Sequence, residues 1–244
     1  FQGRVNELKA LGTALTGDSR PPLITIHGAG GQGKTALARE AVERFAYAWP
    51  GGVWATSLEN LPSRELFVSD LARFLGIDTH TVLDPAEMER LVMAQLVHSR
   101  TLIVLDNVET LVEAVEANNE EARRLAQFLR EQVPRPPVSL LVTSRAFLGW
   151  ANENGFELDG LTLIESAKLF QQHNPQRLQE TDWTLLLELC EKLEGHPLSL
   201  RLLASSFNNS HISFETFVEE YELHLLSAEN KYKETDHRHR TLYA

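Results

Sequence analysis

Cysteine is nearly absent from this sequence: Cys190 is the only one among 244 residues. A single thiol excludes an internal disulfide framework and fits a reducing compartment, so we expect a cytoplasmic protein. Cys190 lies among leucines at helical spacing, where a buried structural thiol is favoured over a nucleophile. Long apolar runs are also absent, because none approaches the roughly eighteen residues that a membrane span needs. The chain begins FQGRVNEL, without Met or a charged-then-apolar leader, and reads as a piece of a longer protein.

Positive charge is scarce as well. The chain has 23 Lys and Arg against 34 Asp and Glu, which gives a net charge of -11. Affinity for nucleic acid normally starts from a basic face, so nucleic acid is not indicated as a partner. The remaining composition, 43% hydrophobic and 23% charged, is that of an ordinary globular protein. The length suits one large domain, or a larger and a smaller one.

Short apolar runs alternate with helical patterns up to about residue 150 to 160. The runs LITI, TLIVLD and VSLLVTS lack polar alternation, which is typical of strands buried on both faces of a parallel sheet. GGVWATSL is a fourth strand candidate, and GFELDGL is predicted to be a short edge strand. Strands that alternate with helices in this way indicate an α/β domain with a parallel sheet.

Two of the helical patterns illustrate how the helices are expected to pack. Val5, Leu8, Leu11 and Leu15 have the spacing of one apolar helix face, which predicts a first helix over residues 4 to about 16. The charged segment NNEEARRLAQFLREQ predicts a later helix with a solvated face held by i to i+4 ion pairs.

The pattern beyond the sheet is entirely helical. Four segments carry apolar residues three or four apart, which favours a small helical bundle. We predict a nucleotide-binding domain over residues 1–157, a helical domain over 158–228 and a linker over 229–244. The four helical segments are TLIESAKLFQQH, DWTLLLELCEKLE, PLSLRLLASSF and SFETFVEEYELHLL.

Residues 28–35, GAGGQGKT, match the pattern of a phosphate-binding loop between a buried strand and a helix. Glycines let backbone amides turn toward phosphate oxygens, and the helix N-terminus adds positive potential. Lys34 is expected against the β- and γ-phosphates, and the Thr35 hydroxyl on Mg²⁺. The predicted nucleotide-binding residues of this segment are Gly28, Gly30, Gly31, Gln32, Gly33, Lys34, Thr35 and Ala36.

A second acidic site follows the strand TLIVLD. Asp106, at its carboxyl end, is placed to hold Mg²⁺ opposite Thr35, although a strand-ending Asp can also simply cap a helix. Many P-loop ATPases have a second acid directly afterwards, but here that position is Asn107, which cannot accept a proton. Glu109 is therefore the candidate base for hydrolysis, with a role as an acid at a helix start as the alternative.

The strand SLLVTSR ends in polar residues. In P-loop folds that insert a strand between the loop strand and the Asp106 strand, this end faces the γ-phosphate, so Thr143, Ser144 or Arg145 could sense it. An Arg145 paired with a surface carboxylate is the alternative. The expected fold is an α/β P-loop NTPase, a three-layer sandwich with strand order of the 5-1-4-3-2 type, followed by a small all-α bundle.

Two further motifs are modest by themselves. Arg4 in FQGR reads as a surface arginine, and Gly195 and Pro197 in GHPLSL read as helix punctuation. Together with GAGGQGKT, LIVLDNVE and LLVTSR, in this order, they resemble the NB-ARC class of STAND signal-transduction ATPases over nearly the whole chain. The sequence lacks the Asn-Lys-x-Asp motif by which GTPases recognise guanine and the LSGGQ-like signature of transporter ATPases. These absences argue against both classes of protein.

This resemblance implies roles for individual residues. The backbone near Gln2, with Arg4, would contact or position adenine, and Pro197 would pack on adenine from the helical domain. Arg145 would sense the γ-phosphate. HRHRTLYA is similar to the start of the winged-helix domain that follows in the family, so His237 and His239 are interpreted as a truncated linker rather than a metal pair.

The resemblance implies an ATP/ADP switch in a multidomain bacterial regulator. ADP would hold a closed arrangement, and ATP with Mg²⁺ would favour another that exposes an oligomerisation surface. Hydrolysis would be slow and would reset the switch. Winged-helix, sensor and effector domains of the same protein are the expected partners, with a homo-oligomer on activation. The alternatives are a cycling AAA+-like remodeller and a scaffold locked with ADP.

Overall fold

The structure is a computed structural model that describes most of the chain. The segment HRHRTLYA, with His237 and His239, and the predicted linker over 229–244 lie outside the described residues. The described residues are 1–82, 84–135, 137–174, 177–221 and 223.

The chain divides into two compact units. One comprises Gly3–Asp159 together with Phe1, and the other begins at Gly160 and includes Gln2. None of the helices in the described part of the chain combines the length and the apolar content that a bilayer crossing requires.

The first unit contains a five-stranded sheet in which every neighbouring pair is parallel. With the strands numbered along the chain, their order in the sheet is 2-3-4-1-5, which is the predicted 5-1-4-3-2 type read from the other edge. The P-loop NTPase fold class predicted from the sequence is thereby confirmed. The strands are β1 Leu23–His27, β2 Val53–Ser57, β3 Thr101–Asp106, β4 Val138–Ser144 and β5 Glu153–Glu157.

Helices cover both faces of this sheet. Alternate residues of β1, β3 and β4 contribute to two separate apolar cores. One core includes the two helices within residues 5–45, and the other includes the four helices within residues 64–131. This accounts for the uninterrupted apolar runs in the sequence, because both faces of these strands are buried. The helices are α1 Val5–Thr16, α2 Lys34–Phe45, α3 Arg64–Phe74, α4 Pro85–Leu96, α5 Val108–Glu116 and α6 Glu120–Glu131, with a 3₁₀ turn at Ala46–Ala48.

Three details differ from the sequence-based expectation. Val5 is 71% exposed, so the apolar face of α1 begins at Leu8. The helix predicted in the charged segment before β4 is α6, but an additional helix, α5, precedes it. The ion pairs of α6, such as Arg123 with Glu120, span three residues rather than four.

The second unit is a helical bundle, as predicted. Its core is rich in phenylalanine: Phe207 packs against Phe170 and Phe214. Cys190 is buried in this core, and burial raises the pKa of its thiol to about 12, which agrees with a structural rather than a nucleophilic role. The helices are α7 Leu163–His173, α8 Trp183–Lys192, α9 Pro197–Asn209 and one over residues 214–221, with a 3₁₀ turn at Glu180–Asp182.

Candidate nucleotide-binding site

Sheet register brings the predicted site residues of the first unit to one edge. β4 lies between β1 and β3, with His27 opposite Ser144 and Leu105 opposite Val142. The carboxyl ends of the three strands therefore lie side by side. The glycine loop follows one of them, Asp106 ends another, and Arg145 follows the third.

The loop over residues 28–33 connects β1 directly to α2. Gly33 is the N-cap of α2 and has φ 91°, a left-handed conformation that side chains rarely adopt. At Gly28 a Cβ would overlap the carbonyl oxygen of Leu158, so the two backbones require a glycine to approach each other. At Gly30, by contrast, a Cβ would have no heavy atom within 4 Å. The loop therefore packs closely against Leu158 at its start, whereas its rim, the side that a Cβ at Gly30 would face, is open.

Lys34 is the first residue of α2, and its side chain is buried. Its ammonium donates hydrogen bonds to the carbonyls of Gly28, at 2.8 Å, and Ala29, at 3.0 Å. Burial lowers the pKa of Lys34, while the negative charges of Glu109 and Asp106 act in the opposite direction. A fixed positive charge therefore lies across the loop, where phosphates are expected.

Asp106 and Thr35, the predicted Mg²⁺ ligands, contact each other directly. The Thr35 hydroxyl donates to Asp106 Oδ1 at 2.7 Å, although 71 residues separate the two in sequence. Thr35 is exposed, whereas Thr143 on β4 is only 1% exposed and donates to the same carboxylate oxygen. The Thr143 hydroxyl also accepts the backbone N–H of Asn107 at 3.1 Å. The Thr143 hydroxyl therefore both donates a hydrogen bond to Asp106 and accepts one from Asn107.

Glu109 lies in the first turn of α5, after Asn107 as N-cap in a left-handed conformation. Its side chain is 13% exposed, and Oε1 lies 3.4 Å from Arg145 Nε. Its other oxygen, Oε2, is buried without a hydrogen-bond partner. Arg145 is 66% exposed and also lies within 3.8 Å of Glu113 Oε1. The pairing of Arg145 with carboxylates, an alternative left open by the sequence, is what the structure contains.

Arg4 differs from the surface arginine expected from its residue type. It is 4% exposed, and one guanidinium nitrogen donates to the carbonyls of Gln32, at 3.2 Å, and Asp159. Its other terminal nitrogen pairs with Glu7 at 3.0 Å. The reason is its position beside the loop, where backbone carbonyls of two distant segments converge.

The remaining predicted site residues lie as follows. Gln32 is half-buried in the loop with its side-chain oxygen unpartnered, and Ala36 is exposed in the first turn of α2. Pro197 opens α9 in the second unit, and Gln2, grouped with that unit, accepts a hydrogen bond from Gln172 at 2.8 Å. The adenine contacts predicted for Gln2, Arg4 and Pro197 stay predictions.

A glycine loop with a lysine, a helix-borne hydroxyl and a strand-ending carboxylate, at the carboxyl edge of a parallel sheet, defines a P-loop nucleoside triphosphatase. A family model described as an AAA domain matches residues 17–146. The chain belongs to this family and is a nucleotide-binding P-loop ATPase domain of the AAA type.

Two curated relatives are similar to most of this chain. The uncharacterized protein Rv0894 of Mycobacterium tuberculosis is 27% identical over 213 residues, which cover 84% of this chain and 50% of that protein. An uncharacterized WD repeat-containing protein of Nostoc, alr2800, is 30% identical over 230 residues, which cover 86% of this chain and 18% of that protein. The chain thus spans half or less of the length of these relatives.

Solved structures share the fold. A STAND protein with a tetratricopeptide repeat sensor from Pyrococcus horikoshii has a TM-score of 0.57 at 21% identity, covering 90% of this chain and 32% of that one. Drosophila ORC bound to DNA gives 0.59 at 17% identity, covering 84% and 60%. The Aeropyrum pernix ORC1 protein in complex with DNA gives 0.58 at 18% identity, covering 92% and 66%. These likenesses show the fold alone, and the expectation from charge that nucleic acid is not indicated as a partner stays a prediction.

Proposed function

We propose that this chain is the nucleotide switch of a larger, multidomain signalling regulator of the NB-ARC class of STAND ATPases. ADP and ATP would favour different domain arrangements, and the ATP state would expose an oligomerisation surface. The sequence motifs, the AAA family and a fold like that of a STAND protein support this proposal. The greater length of the relatives supports further domains outside this chain.

The proposed domains are a nucleotide-binding domain over residues 1–157 and a helical domain over 158–228. The division of the structure after Asp159 supports this boundary. Winged-helix, sensor and effector domains would follow or flank them in the full protein, which we propose to be a bacterial and cytoplasmic one.

The residues present fit a nucleotide with Mg²⁺. Thr35 and Asp106 offer a hydroxyl and a carboxylate within hydrogen-bonding distance, and such oxygen ligands are the ones that Mg²⁺ prefers. Bound there, Mg²⁺ would neutralise charge that develops on the phosphate oxygens. Lys34 would bind the same phosphates from the loop side, and the open space at Gly30 leaves the loop rim accessible to them.

The pairing of Glu109 with Arg145 carries the proposal of slow hydrolysis. A general base must accept a proton from the attacking water, and Asn107 cannot do so. Glu109 is the nearby carboxylate on α5, but one of its oxygens faces Arg145 and the other is buried. Glu109 Oε1 therefore stays paired with Arg145 until that arginine moves. We propose that the γ-phosphate attracts Arg145, which releases Glu109 to orient and deprotonate water.

Two other functions would use the same loop. A cycling AAA+-like remodeller would turn over ATP freely, and a locked scaffold would keep ADP without hydrolysis. The position of Asn107 and the engaged Glu109 favour a slow switch over a remodeller. Glu109 becomes available as a base once Arg145 moves, and this favours the switch over the scaffold, which would not hydrolyse ATP.

The test begins with purification of the chain without added nucleotide, followed by denaturation and chromatography of what is released. We expect near-stoichiometric ADP. ATP turnover is then measured for the wild type, Glu109→Gln and the matched control Glu116→Gln, which changes an exposed carboxylate on the same helix. Slow turnover that falls about a hundredfold or more in Glu109→Gln alone supports the switch, because a general base contributes about 10²–10⁴-fold to the rate.

Other outcomes contradict the proposal. A nucleotide-free protein with fast turnover would favour the remodeller. Bound ADP with no turnover of ATP, even after the ADP is exchanged, would favour the scaffold. Equal turnover in the wild type and Glu109→Gln would remove Glu109 as the base.

A further inference from the structure

Arg4 joins three segments of the first unit that are distant in sequence. Its guanidinium donates to Gln32 in the phosphate loop and to Asp159, the last residue of the unit, and pairs with Glu7 on α1. The side chain is almost completely buried. Hydrogen bonds from a buried charged donor are among the stronger ones in proteins, so these contacts fix the backbone carbonyls that accept them.

The segment that receives Arg4 also backs the other end of the loop. Leu158 donates its backbone N–H to the carbonyl of His27 at 2.7 Å, directly before the loop. The carbonyl of Leu158 lies so close to Gly28 that no side chain fits there. Residues Leu158 and Asp159 therefore hold the start of the loop by direct contact and its later part through Arg4.

A phosphate loop binds through backbone amides, so its affinity depends on the backbone being held in one conformation before the ligand arrives. We propose that Arg4 is a positioning residue: it holds the phosphate loop from behind and couples it to residues 158–159. It acts on the phosphates through the Gln32 backbone and does not read the base. This inference rests on nucleotide binding by the proposed site and replaces the adenine contact that the family resemblance implies for Arg4.

The two roles of Arg4 make different predictions for base selectivity. In Arg4→Met the apolar stem is kept and the guanidinium is lost. We expect the dissociation constants of ADP and GDP to rise by the same factor, about tenfold or more for the loss of hydrogen bonds from a charged donor, so their ratio stays unchanged. Arg4→Lys keeps the charge but lacks the planar fork, so it should recover part of the affinity for both.

Affinities are measured by displacement of a fluorescent ADP analogue, with circular dichroism to establish that each variant is folded. If the dissociation constant of ADP rises in Arg4→Met while that of GDP stays the same, Arg4 contacts adenine, and the inference is overturned. Unchanged affinities for both nucleotides would overturn it as well. A wild-type chain that binds no nucleotide would refute the proposed function itself.

A second measurement needs only the wild type, should the variants fail to fold. Hydrogen exchange is followed in a peptide spanning residues 156–161, with and without ADP. Coupling of the loop to residues 158–159 predicts slower exchange at Leu158 when ADP orders the loop, because the Leu158 N–H donates to the carbonyl of His27, directly before the loop. Exchange that ADP leaves unaltered there, while it slows in the loop, would contradict the coupling.

Discussion

Removal of the Thr143 hydroxyl tests how much its hydrogen bonds to Asp106 and Asn107 stabilise the protein. Thr143→Val keeps the shape of the side chain and deletes one oxygen, which donates to Asp106 and accepts from the Asn107 N–H. A lost hydrogen bond to a charged group costs about 1.5–3 kcal/mol, and an orphaned buried N–H about 1–3 kcal/mol. Asp106 is half-buried and keeps its bond from Thr35, so water offsets part of the loss. We expect the free energy of unfolding to fall by about 3 kcal/mol.

The assay is urea denaturation followed by circular dichroism, with Thr143→Ser as the control. Serine keeps the hydroxyl and loses one buried methyl group, which should cost only about 1 kcal/mol. The valine variant should also weaken Mg²⁺-dependent binding of ADP, whereas the serine variant should retain it. If valine destabilises the protein no more than serine does, the hydroxyl is not what holds Asp106 and Asn107 together.

Two further perturbations have clear expected results. Gly28→Ala forces a Cβ against the Leu158 carbonyl, so it should lower the free energy of unfolding by about 1–3 kcal/mol and weaken ADP binding. Gly30→Ala places its Cβ in open space and should leave the free energy of unfolding nearly unchanged. Equal effects of the two substitutions would contradict the close approach of Gly28 to Leu158. Because the Cys190 thiol has its pKa raised from 9.0 to about 12, the unfolded chain loses this proton first as the pH rises. Cys190 should therefore make the protein less stable with increasing pH between 9 and 12, with a limiting slope of about 1.4 kcal/mol per pH unit, and urea denaturation of Cys190→Ala at pH 8 and 10 should show a smaller loss.

The fold was predictable because its strongest signals are local. Apolar runs such as TLIVLD mark strands covered on both faces, and the glycine loop fixes which strand comes before the phosphate-binding helix. The sequence indicated α5 only through the alternative role of Glu109 as an acid at a helix start. This helix has only nine residues, and the chain turns through Asn118, with φ 63°, directly into α6. Val5 fits the apolar spacing of α1 but lies in its first, exposed turn, which periodicity does not distinguish from the turns that follow.

The candidate site was predictable only in part. Lys34, Thr35 and Asp106 belong to local motifs, and strand order brings them together. The engagement of Thr143 depends on the register between β3 and β4, and the burial of Arg4 depends on a contact across 155 residues. Sequence spacing carries neither kind of information. The sequence therefore indicated Thr143 only as a phosphate-sensor candidate from its place at a strand end, and Arg4 only as a surface arginine from its residue type.

Asn107 turns the chain from β3 into α5 and leaves Asp106 without a second acid directly after it. The residue has φ 60° and ψ 46°, a left-handed conformation that asparagine and aspartate tolerate better than other side chains. Aspartate at this position would put a second negative charge directly beside Asp106, whereas asparagine provides the same backbone turn without that repulsion. Glu109 then enters the first turn of α5, and Arg145 from the end of β4 lies against it. In the proposed switch, the acid for Mg²⁺ and the acid for water are thus separate groups, and only the second is regulated by an arginine.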